Sequence, residues 1–275
     1  MMKRTALFLI LFCLLASPLH AAGDAEKGKY ILNMGGCISC HHTPNQKDAN
    51  LSGGLAIKSP FGTFYVPNIT PDPDVGIGGW SDDDFIAAMT QGISPDGSHY
   101  YPAFPYTSYT QMTRQDLLDL KAYLDTVAPS KNVVPEHDIP FPFNMRFLMM
   151  GWKMMFFDEG TFTPNPNKSA AWNRGAYIVN GLAHCGECHT PRNSLGGSDT
   201  SKKFQGNPNG PDKEKIPNIR PKGWEEGDYR TALRMGMTPD GDFLGGSMGH
   251  VIAKTTSKLT KDDLNAVITY LIEFE

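Results

Sequence analysis

The sequence contains the pattern C-x-x-C-H twice, and each copy lies inside a longer repeated stretch. The first stretch, KGKYILNMGGCISCHHTP at 27–44, matches RGAYIVNGLAHCGECHTP at 174–191. Near the end of each copy, QMTRQDLLDLKAYL at 111–124 matches KLTKDDLNAVITYL at 258–271. A match at both ends, with similar spacing, indicates two copies of one small structural unit.

Each copy is predicted to begin and end with a helix. The closing helices have the start signal T-x-x-D, with Thr113 before Asp116 and Thr260 before Asp263. Leucines and other apolar residues follow at helical spacing. Between these helices the sequence is rich in Gly, Pro, Asn and Asp, which predicts long loops. The expected fold class is therefore all-α, with two tandem units and long loops.

The two C-x-x-C-H motifs predict covalently bound haem c. In this chemistry two thiols add to the two vinyl groups of one haem, and the following histidine binds the iron from below. Cys37 and Cys40 would attach one haem, and Cys185 and Cys188 the other. Structural zinc and a redox-active dithiol are weaker interpretations, because neither requires a histidine after both pairs.

The proximal iron ligands are predicted to be His41 and His189, each of which follows its second cysteine. A short repeat further along, VPNITP against IPNIRP, suggests what orients them. The carbonyl groups of Pro67 and Pro217 are candidates to accept a hydrogen bond from these imidazoles and to fix their tautomer.

The sixth ligand is a methionine in many c-type haem proteins, and thioether ligation raises the reduction potential. Met248, in the Gly-rich stretch GGSMGH, is the candidate for the second haem. Trp80 matches Trp224, and the two copies then align without a gap through SPDG at 94–97 and TPDG at 238–241. This register places Phe104 opposite Met248, and Phe cannot bind iron. Met112 is the nearest substitute for the first haem, His99 is its rival, and an open iron is the third option.

The N-terminal residues 1–22 have the features of a secretory signal, with Lys3 and Arg4 before an apolar run and small residues at the end. Cys13 would be removed with this segment, so every remaining cysteine belongs to a C-x-x-C-H motif. The net charge of −4 and the absence of a basic stripe give no indication of nucleic-acid binding. We expect an exported protein in the periplasm, with peripheral association to the inner membrane as an option.

The predicted organisation is a signal peptide at 1–22, one haem domain at 23–128, a linker at 129–171 and a second haem domain at 172–275. The linker contains MRFLMMGWKMMFF, which predicts an apolar helix too short and too charged to cross a bilayer. We expect this helix to pack between the domains, with a docking surface for a partner subunit as the alternative.

The chain resembles the cytochrome c subunits of membrane-bound alcohol, gluconate and sorbitol dehydrogenases. The resemblance covers nearly all of the chain after residue 22, and its most specific stretches are GGLAIKSPFGTFYVPNITPDPDVGIGGWSDDDF, YYPAFPYTSYTQMT and DGDFLGGSMGHVI. It implies class I cytochrome c domains. Those subunits usually have three haem domains and this sequence has two, so we expect a two-haem relative that serves another dehydrogenase.

The resemblance implies a function in electron transfer. The expected donor is a periplasmic or membrane-bound dehydrogenase, and the expected acceptor is quinone, an oxidase or another cytochrome in the respiratory chain. A carrier of this kind has no substrate of its own to convert. The alternative is a dihaem enzyme such as a peroxidase, which requires one iron open to its substrate.

Overall fold

The computed structural model describes residues 23–44, 51–210 and 214–274. The predicted signal segment at 1–22 lies outside these residues. The described chain is rich in helix, and the elements follow in this order: α1 Ala25–Met34, α2 Cys37–His41, β1 Ala56–Ser59, β2 Gly62–Tyr65, α3 Asp82–Gln91, α4 Tyr106–Tyr109, α5 Arg114–Leu124, α6 Leu148–Phe156, α7 Ala170–Tyr177, a π-helical turn Ile178–Leu182, α8 Gly186–His189, a 3-10 turn Thr200–Lys202, α9 Glu226–Met235, α10 Gly246–Lys254, a 3-10 turn Thr256–Lys258 and α11 Lys261–Glu273.

The predicted closing helices are present, and both begin where the sequence signal places them. The side chain of Thr113 accepts a hydrogen bond from the Asp116 backbone N–H at 3.1 Å, and Thr260 accepts one from Asp263 at 3.1 Å. Such caps satisfy amide groups that the first helical turn leaves without a partner. The apolar stripes of both helices are buried, as predicted; they comprise Leu117, Leu120 and Leu124 of α5, and Leu264, Val267, Ile268 and Leu271 of α11.

The first and last helices of each half cross at a glycine. A Cβ atom added to Gly28 of α1 would lie 1.8 Å from the carbonyl oxygen of Asp119 in α5. A Cβ on Gly175 of α7 would lie 2.0 Å from the carbonyl oxygen of Ala266 in α11. The two glycines are equivalent in the repeat, and so are the residues that they touch. Only glycine permits backbones to approach so closely, so the same helix crossing is built twice.

The all-α prediction is wrong in one place, because β1 and β2 form an antiparallel hairpin. Ala56 pairs with Tyr65 at its open end, and Ser59 pairs with Gly62 at the turn. The turn depends on Gly62, whose φ of 126° is accessible to glycine and strained for other residues. In the corresponding part of the second half, the described residues form one antiparallel bridge between Asn207 and Ile216, with backbone hydrogen bonds of 2.9 and 2.8 Å. The repeat therefore keeps this pairing there as a single bridge in the described residues.

The apolar core is continuous across the two halves. Its largest fully buried side chains include Met34, Met112 and Leu117 from the first half and Phe204 and Ile268 from the second. The two halves therefore share one apolar interior, from which their packing excludes water.

The linker helix α6 packs through only one face. Trp152 is buried, and its indole N–H donates to the carbonyl of Leu195 at 2.9 Å. The opposite face exposes Met154 (85%) and Met150 (56%) to solvent, and Phe147, directly before the helix, is 65% exposed. The expectation that the helix is packed between domains therefore fails for this outer face. Among the described residues, no helix combines the length and hydropathy that a bilayer crossing requires.

Candidate haem centres

The two C-x-x-C-H motifs form short helices, α2 and α8, directly after the opening helices. Gly36 precedes Cys37 in the left-handed conformation, with φ of 60°, and ends the preceding turn. In the second half His184 takes a positive φ of 41° just before Cys185. A sharp turn before each motif separates it from the opening helix and brings both cysteines and the histidine onto one turn of α-helix.

No disulfide joins the four motif cysteines to one another, so each sulfur is available for another bond. Burial raises the pKa of Cys37 and of Cys185 to about 12, so these side chains are neutral at pH 7. Within residues 23–44, 51–210 and 214–274, no group of three or more His, Cys, Asp or Glu side chains converges as a metal cluster would require. The chemistry at these sites is therefore that of neutral, paired thiols.

The two motif histidines have the same orientation in both halves. Nδ1 of His41 lies 2.8 Å from the carbonyl oxygen of Pro67, and Nδ1 of His189 lies 2.8 Å from that of Pro217. The predicted carbonyl partners are thus present. A carbonyl can only accept, so each ring carries its proton on Nδ1 and leaves the Nε2 lone pair free.

Both imidazoles are held in the neutral form that iron ligation requires. Burial lowers the pKa of His41 to about 4, because charging the ring there would desolvate a cation. Burial also lowers the pKa of His189. The rings are therefore available as neutral nitrogen donors at physiological pH.

Two glycines missed by sequence analysis hold these histidines in place. The backbone N–H of Gly53 donates to the His41 carbonyl at 2.8 Å, and that of Gly206 donates to the His189 carbonyl at 2.8 Å. Their φ values are 68° and 96°. A Cβ on Gly53 would lie 2.4 Å from the Val66 carbonyl oxygen, next to Pro67. Each glycine thus lets the proline loop lie directly against the histidine.

A signal for these glycines exists in the sequence, in L-S-G at 51–53 and F-Q-G at 204–206. The first residues of the two stretches, Leu51 and Phe204, are both buried and both have positive φ. The loops that connect these stretches to the proline segments differ in length. An alignment of the two copies without gaps therefore does not place Gly53 opposite Gly206.

The opposite side of the two sites differs between the halves. Met248 lies on α10, half-buried against the core. Phe104, its counterpart, packs among aromatic rings, with ring centroids 5.7 Å from Tyr100 and 5.8 Å from Tyr109. The first half therefore has no sulfur donor at this position of the repeat.

The other candidate ligands of the first haem lie in different surroundings. Met112 is 2% exposed and occupies the same place in the repeat as the buried Leu259. His99 lies against the linker helix, where its Nδ1 is 2.9 Å from Nζ of Lys153. Its carbonyl accepts from Arg146 at 3.1 Å. Of the two, Met112 is the one within the apolar core.

The two motifs lie next to each other. Nε2 of His184, the residue before Cys185, is 3.2 Å from the carbonyl oxygen of Gly35, two residues before Cys37. The ring of Tyr109 contacts that of His184 edge-on, with centroids 5.4 Å apart.

These features fit covalent haem on both motifs. Each motif offers two neutral thiols at the spacing of the haem vinyl groups and one neutral imidazole with Nε2 free. The thiols and the imidazole of both motifs lie in residues that the structure describes.

Comparisons with known proteins decide the family. A family model described as cytochrome c matches residues 25–128. Over 259 residues the chain is 46% identical to a protein named diheme cytochrome c-type from Cereibacter sphaeroides, and the match covers 90% of this chain and 85% of that protein. The chain belongs to the dihaem c-type cytochromes. It binds two covalently attached haem c groups, and its chemistry is electron transfer.

Longer relatives contain a similar cytochrome region. The chain is 40% identical over 260 residues to a subunit of nicotinate dehydrogenase from Pseudomonas putida, covering 93% of this chain and 22% of that protein. It is 38% identical over 259 residues to the cytochrome c subunit of alcohol dehydrogenase (quinone) from Gluconacetobacter polyoxogenes, covering 90% of this chain and 55% of that subunit. The predicted resemblance to dehydrogenase cytochrome subunits is confirmed, and the chain spans only about half or less of these two relatives.

Proposed function

We propose that this dihaem cytochrome accepts electrons from a dehydrogenase and passes them to the respiratory chain. The observation that carries the proposal is the direct contact between the two haem-binding motifs through His184 and Gly35. Two redox centres held side by side suit a carrier that takes electrons at one end and delivers them at the other. Relatives that are named as cytochrome subunits of alcohol and gluconate dehydrogenases support a dehydrogenase donor. The acceptor would be quinone, an oxidase or another cytochrome.

We assign the site residues as follows. Thioether bonds would attach the haems at the two cysteine pairs, and His41 and His189 would bind iron through Nε2. Met248 and Met112 would supply the sixth ligands. When bound, each haem takes up and releases one electron at its iron. The residues would hold the haem, fix the tautomer of the imidazole through the proline carbonyl, and exclude water from the iron.

The proposed organisation keeps the boundaries given above. Residues 1–22 would direct export and be removed, and haem domains at 23–128 and 172–275 would be joined by the linker at 129–171. The repeated crossings at Gly28 and Gly175 support two equivalent units. We place the protein in the periplasm. The exposed apolar face of α6 supports peripheral contact with the inner membrane.

A gene deletion would test the donor. We expect membranes from the deletion strain to lose oxygen uptake with one electron source out of ethanol, gluconate, fructose and nicotinate, and to regain it when the chain is restored. A restored chain carrying both Cys185→Ala and Cys188→Ala is the matched control, and should fail to rescue. Unchanged uptake with every dehydrogenase substrate would contradict the proposed donor class.

A dihaem peroxidase is the second candidate, because Phe104 leaves the first half without a methionine where the second half has Met248. A peroxidase needs an iron with a vacant position. Spectra recorded with cyanide or hydrogen peroxide separate the two functions. Rapid binding of one equivalent at one haem would favour the peroxidase, whereas the carrier function predicts that neither ligand binds rapidly.

A further inference from the structure

Two tyrosine hydroxyl groups join the halves of the molecule. The hydroxyl of Tyr30 on α1 donates to Oδ2 of Asp263 at 2.8 Å and accepts from the backbone N–H of Thr260 at 2.9 Å. Both partners stand at the start of α11 in the second half. A neutral hydroxyl that donates to a carboxylate forms one of the stronger hydrogen bonds in proteins.

The same contact occurs in the opposite direction. The hydroxyl of Tyr177 on α7 donates to Oδ2 of Asp116 and accepts from the backbone N–H of Thr113 at 3.0 Å. Tyr30 and Tyr177 occupy the same position in the repeat, and the residues that they bind are also equivalent. The opening helix of each half therefore binds the N-terminus of the closing helix of the other half, which is the reciprocal pattern of a two-fold interface. We call this pair of contacts the tyrosine clasp.

The clasp stands directly before the haem-binding motifs in the chain. α1 leads into Cys37, and α7 with its π-helical turn leads into Cys185. Between the two motifs lie the His184 contact to Gly35 and the ring of Tyr109. Fixing α1 to α11 and α7 to α5 thus fixes one motif relative to the other.

We propose that Tyr30 and Tyr177 are positioning residues for electron exchange between the two haems. One electron leaves the ferrous haem of one half and reduces the ferric haem of the other, and no further reactant is consumed. Electron tunnelling weakens steeply with distance, so a clasp that holds the motifs together keeps this exchange fast. The inference rests on haem attachment to both motifs, and it deepens the proposed carrier function.

The two contacts are unequal. Asp263 is also bound by Arg174 through two hydrogen bonds of 2.8 and 2.9 Å. The repeat equivalent of Arg174 is Lys27, which pairs with Asp24 at 3.6 Å. Asp263 therefore keeps a strong partner when Tyr30 is lost, whereas Asp116 has no such arginine bond in the described structure. Removal of the Tyr177 hydroxyl should have the larger effect.

The test uses isolated holoprotein with both haems, and compares wild type with Tyr30→Phe, Tyr177→Phe and the double variant. One haem is reduced by a short pulse, and the redistribution of the electron is followed by absorbance. We expect redistribution to slow roughly twofold to tenfold in each single variant, as for an equilibrium that loses one hydrogen-bonding group, and more in the double variant. Haem content and the ferric methionine–iron absorption should stay unchanged.

Tyr270→Phe is the matched control. The Tyr270 hydroxyl bonds Asn180 of its own half, with Nδ2 at 2.9 Å. Its loss should lower stability without changing the redistribution rate. Asp116→Asn is a second probe that keeps an acceptor for Tyr177, and we expect a smaller slowing from it than from Tyr177→Phe.

A wild-type redistribution rate in the double variant would overturn the proposal and leave the clasp as a stability device. If the double variant fails to fold, Tyr177→Phe decides in the same way: wild-type exchange in this single variant contradicts the inference. No dehydrogenase takes part in the experiment, so its outcome is independent of whether the proposed donor is correct.

Discussion

The two halves of the molecule agree closely on one side of the haem-binding motif and differ on the other. On the histidine side, His41 and His189 bind proline carbonyls at the same 2.8 Å, and equivalent glycines hold both loops. At the repeat position of the candidate sixth ligand, the second half has Met248 and the first has Phe104.

This difference distinguishes the features that would attach the haem from those that would set its reduction potential. Attachment relies on backbone geometry: a left-handed turn, a carbonyl acceptor and a turn of helix, all of which the repeat preserves. The repeat position of Met248, which we propose as a sixth ligand, is occupied by Phe104 in the first half. The axial ligand is one of the features that set the reduction potential of a haem. A difference in reduction potential between the two haems would give electrons a preferred direction.

The largest expected effect comes from removing the shared histidine. His41→Ala and His189→Ala should each reduce haem content from two per chain to one, and should destabilise the half concerned, because haem binding and folding are coupled. Haem per chain is measured by absorbance after denaturation in pyridine. His42→Ala is the matched control, since His42 is adjacent but bonds the carbonyl of Ile38, and it should keep both haems. Two haems in both histidine variants would refute the assignment.

The second largest effect is expected from the glycines at the two helix crossings, and the loss of stability should be equal in the two halves. Gly28→Ala and Gly175→Ala each place a methyl group within about 2 Å of a backbone carbonyl, so the helices must separate. We expect the free energy of unfolding to fall by about 1–3 kcal/mol or more for each, as in other overpacked interiors. Denaturant titration of the holoprotein measures it.

Gly227→Ala serves as control for the helix crossings. A Cβ at Gly227 of α9 meets no atom within 4 Å, and alanine favours helix over glycine by about 0.5–1 kcal/mol. This variant should be slightly more stable than wild type. If Gly28→Ala and Gly175→Ala differ strongly from each other, the crossings are not equivalent and the comparison of the halves is weakened.

A smaller effect is expected from the loop glycines. Gly53→Ala and Gly206→Ala force an alanine into positive φ, which costs about 1–2 kcal/mol, and push the proline loop away from the histidine. A weaker hydrogen bond to Nδ1–H makes the imidazole a poorer donor to ferric iron. Each variant should raise the reduction potential of its own haem, as measured by spectroscopic titration.

Gly241→Ala separates strain from displacement. Gly241 has φ of 85°, and a Cβ there meets no atom within 4 Å. Gly241→Ala should lower the free energy of unfolding about as much as the loop-glycine variants do, while the reduction potentials of both haems stay at their wild-type values. An equal shift of potential in Gly241→Ala would mean that the loop glycines act through general destabilisation.

Much of this architecture can be predicted from the sequence, because the signals are local. The threonine caps of α5 and α11, their apolar stripes and the thiol–imidazole spacing all lie within short segments. The proline carbonyls could be predicted because the repeat marks VPNITP and IPNIRP as equivalent.

Other features depend on contacts between distant parts of the chain and could not be predicted. Loops of unequal length hide the match between Gly53 and Gly206. The clasp joins residues that are far apart in the chain, by 233 positions for Tyr30 and Asp263 and by 61 for Tyr177 and Asp116. The shared place of the two tyrosines in the repeat suggests only helix packing. For α6 the sequence left two interpretations, packing between the domains and a docking surface, because apolar residues in a short helix do not show which of its faces is covered. The β1–β2 hairpin was missed because its strands are short.

The ferric methionine–iron charge-transfer absorption tests the central claim most directly, since the claim is that both haems use methionine but from different places in the repeat. The account predicts that Met248→Ala and Met112→Ala each lose about half of this absorption, one bond per iron, and that the double variant loses all of it. Met112→Ala should also open the first haem to cyanide. Full absorption in Met112→Ala, with Met248→Ala removing all of it, would contradict the account and leave the first haem to His99 or without a sixth ligand.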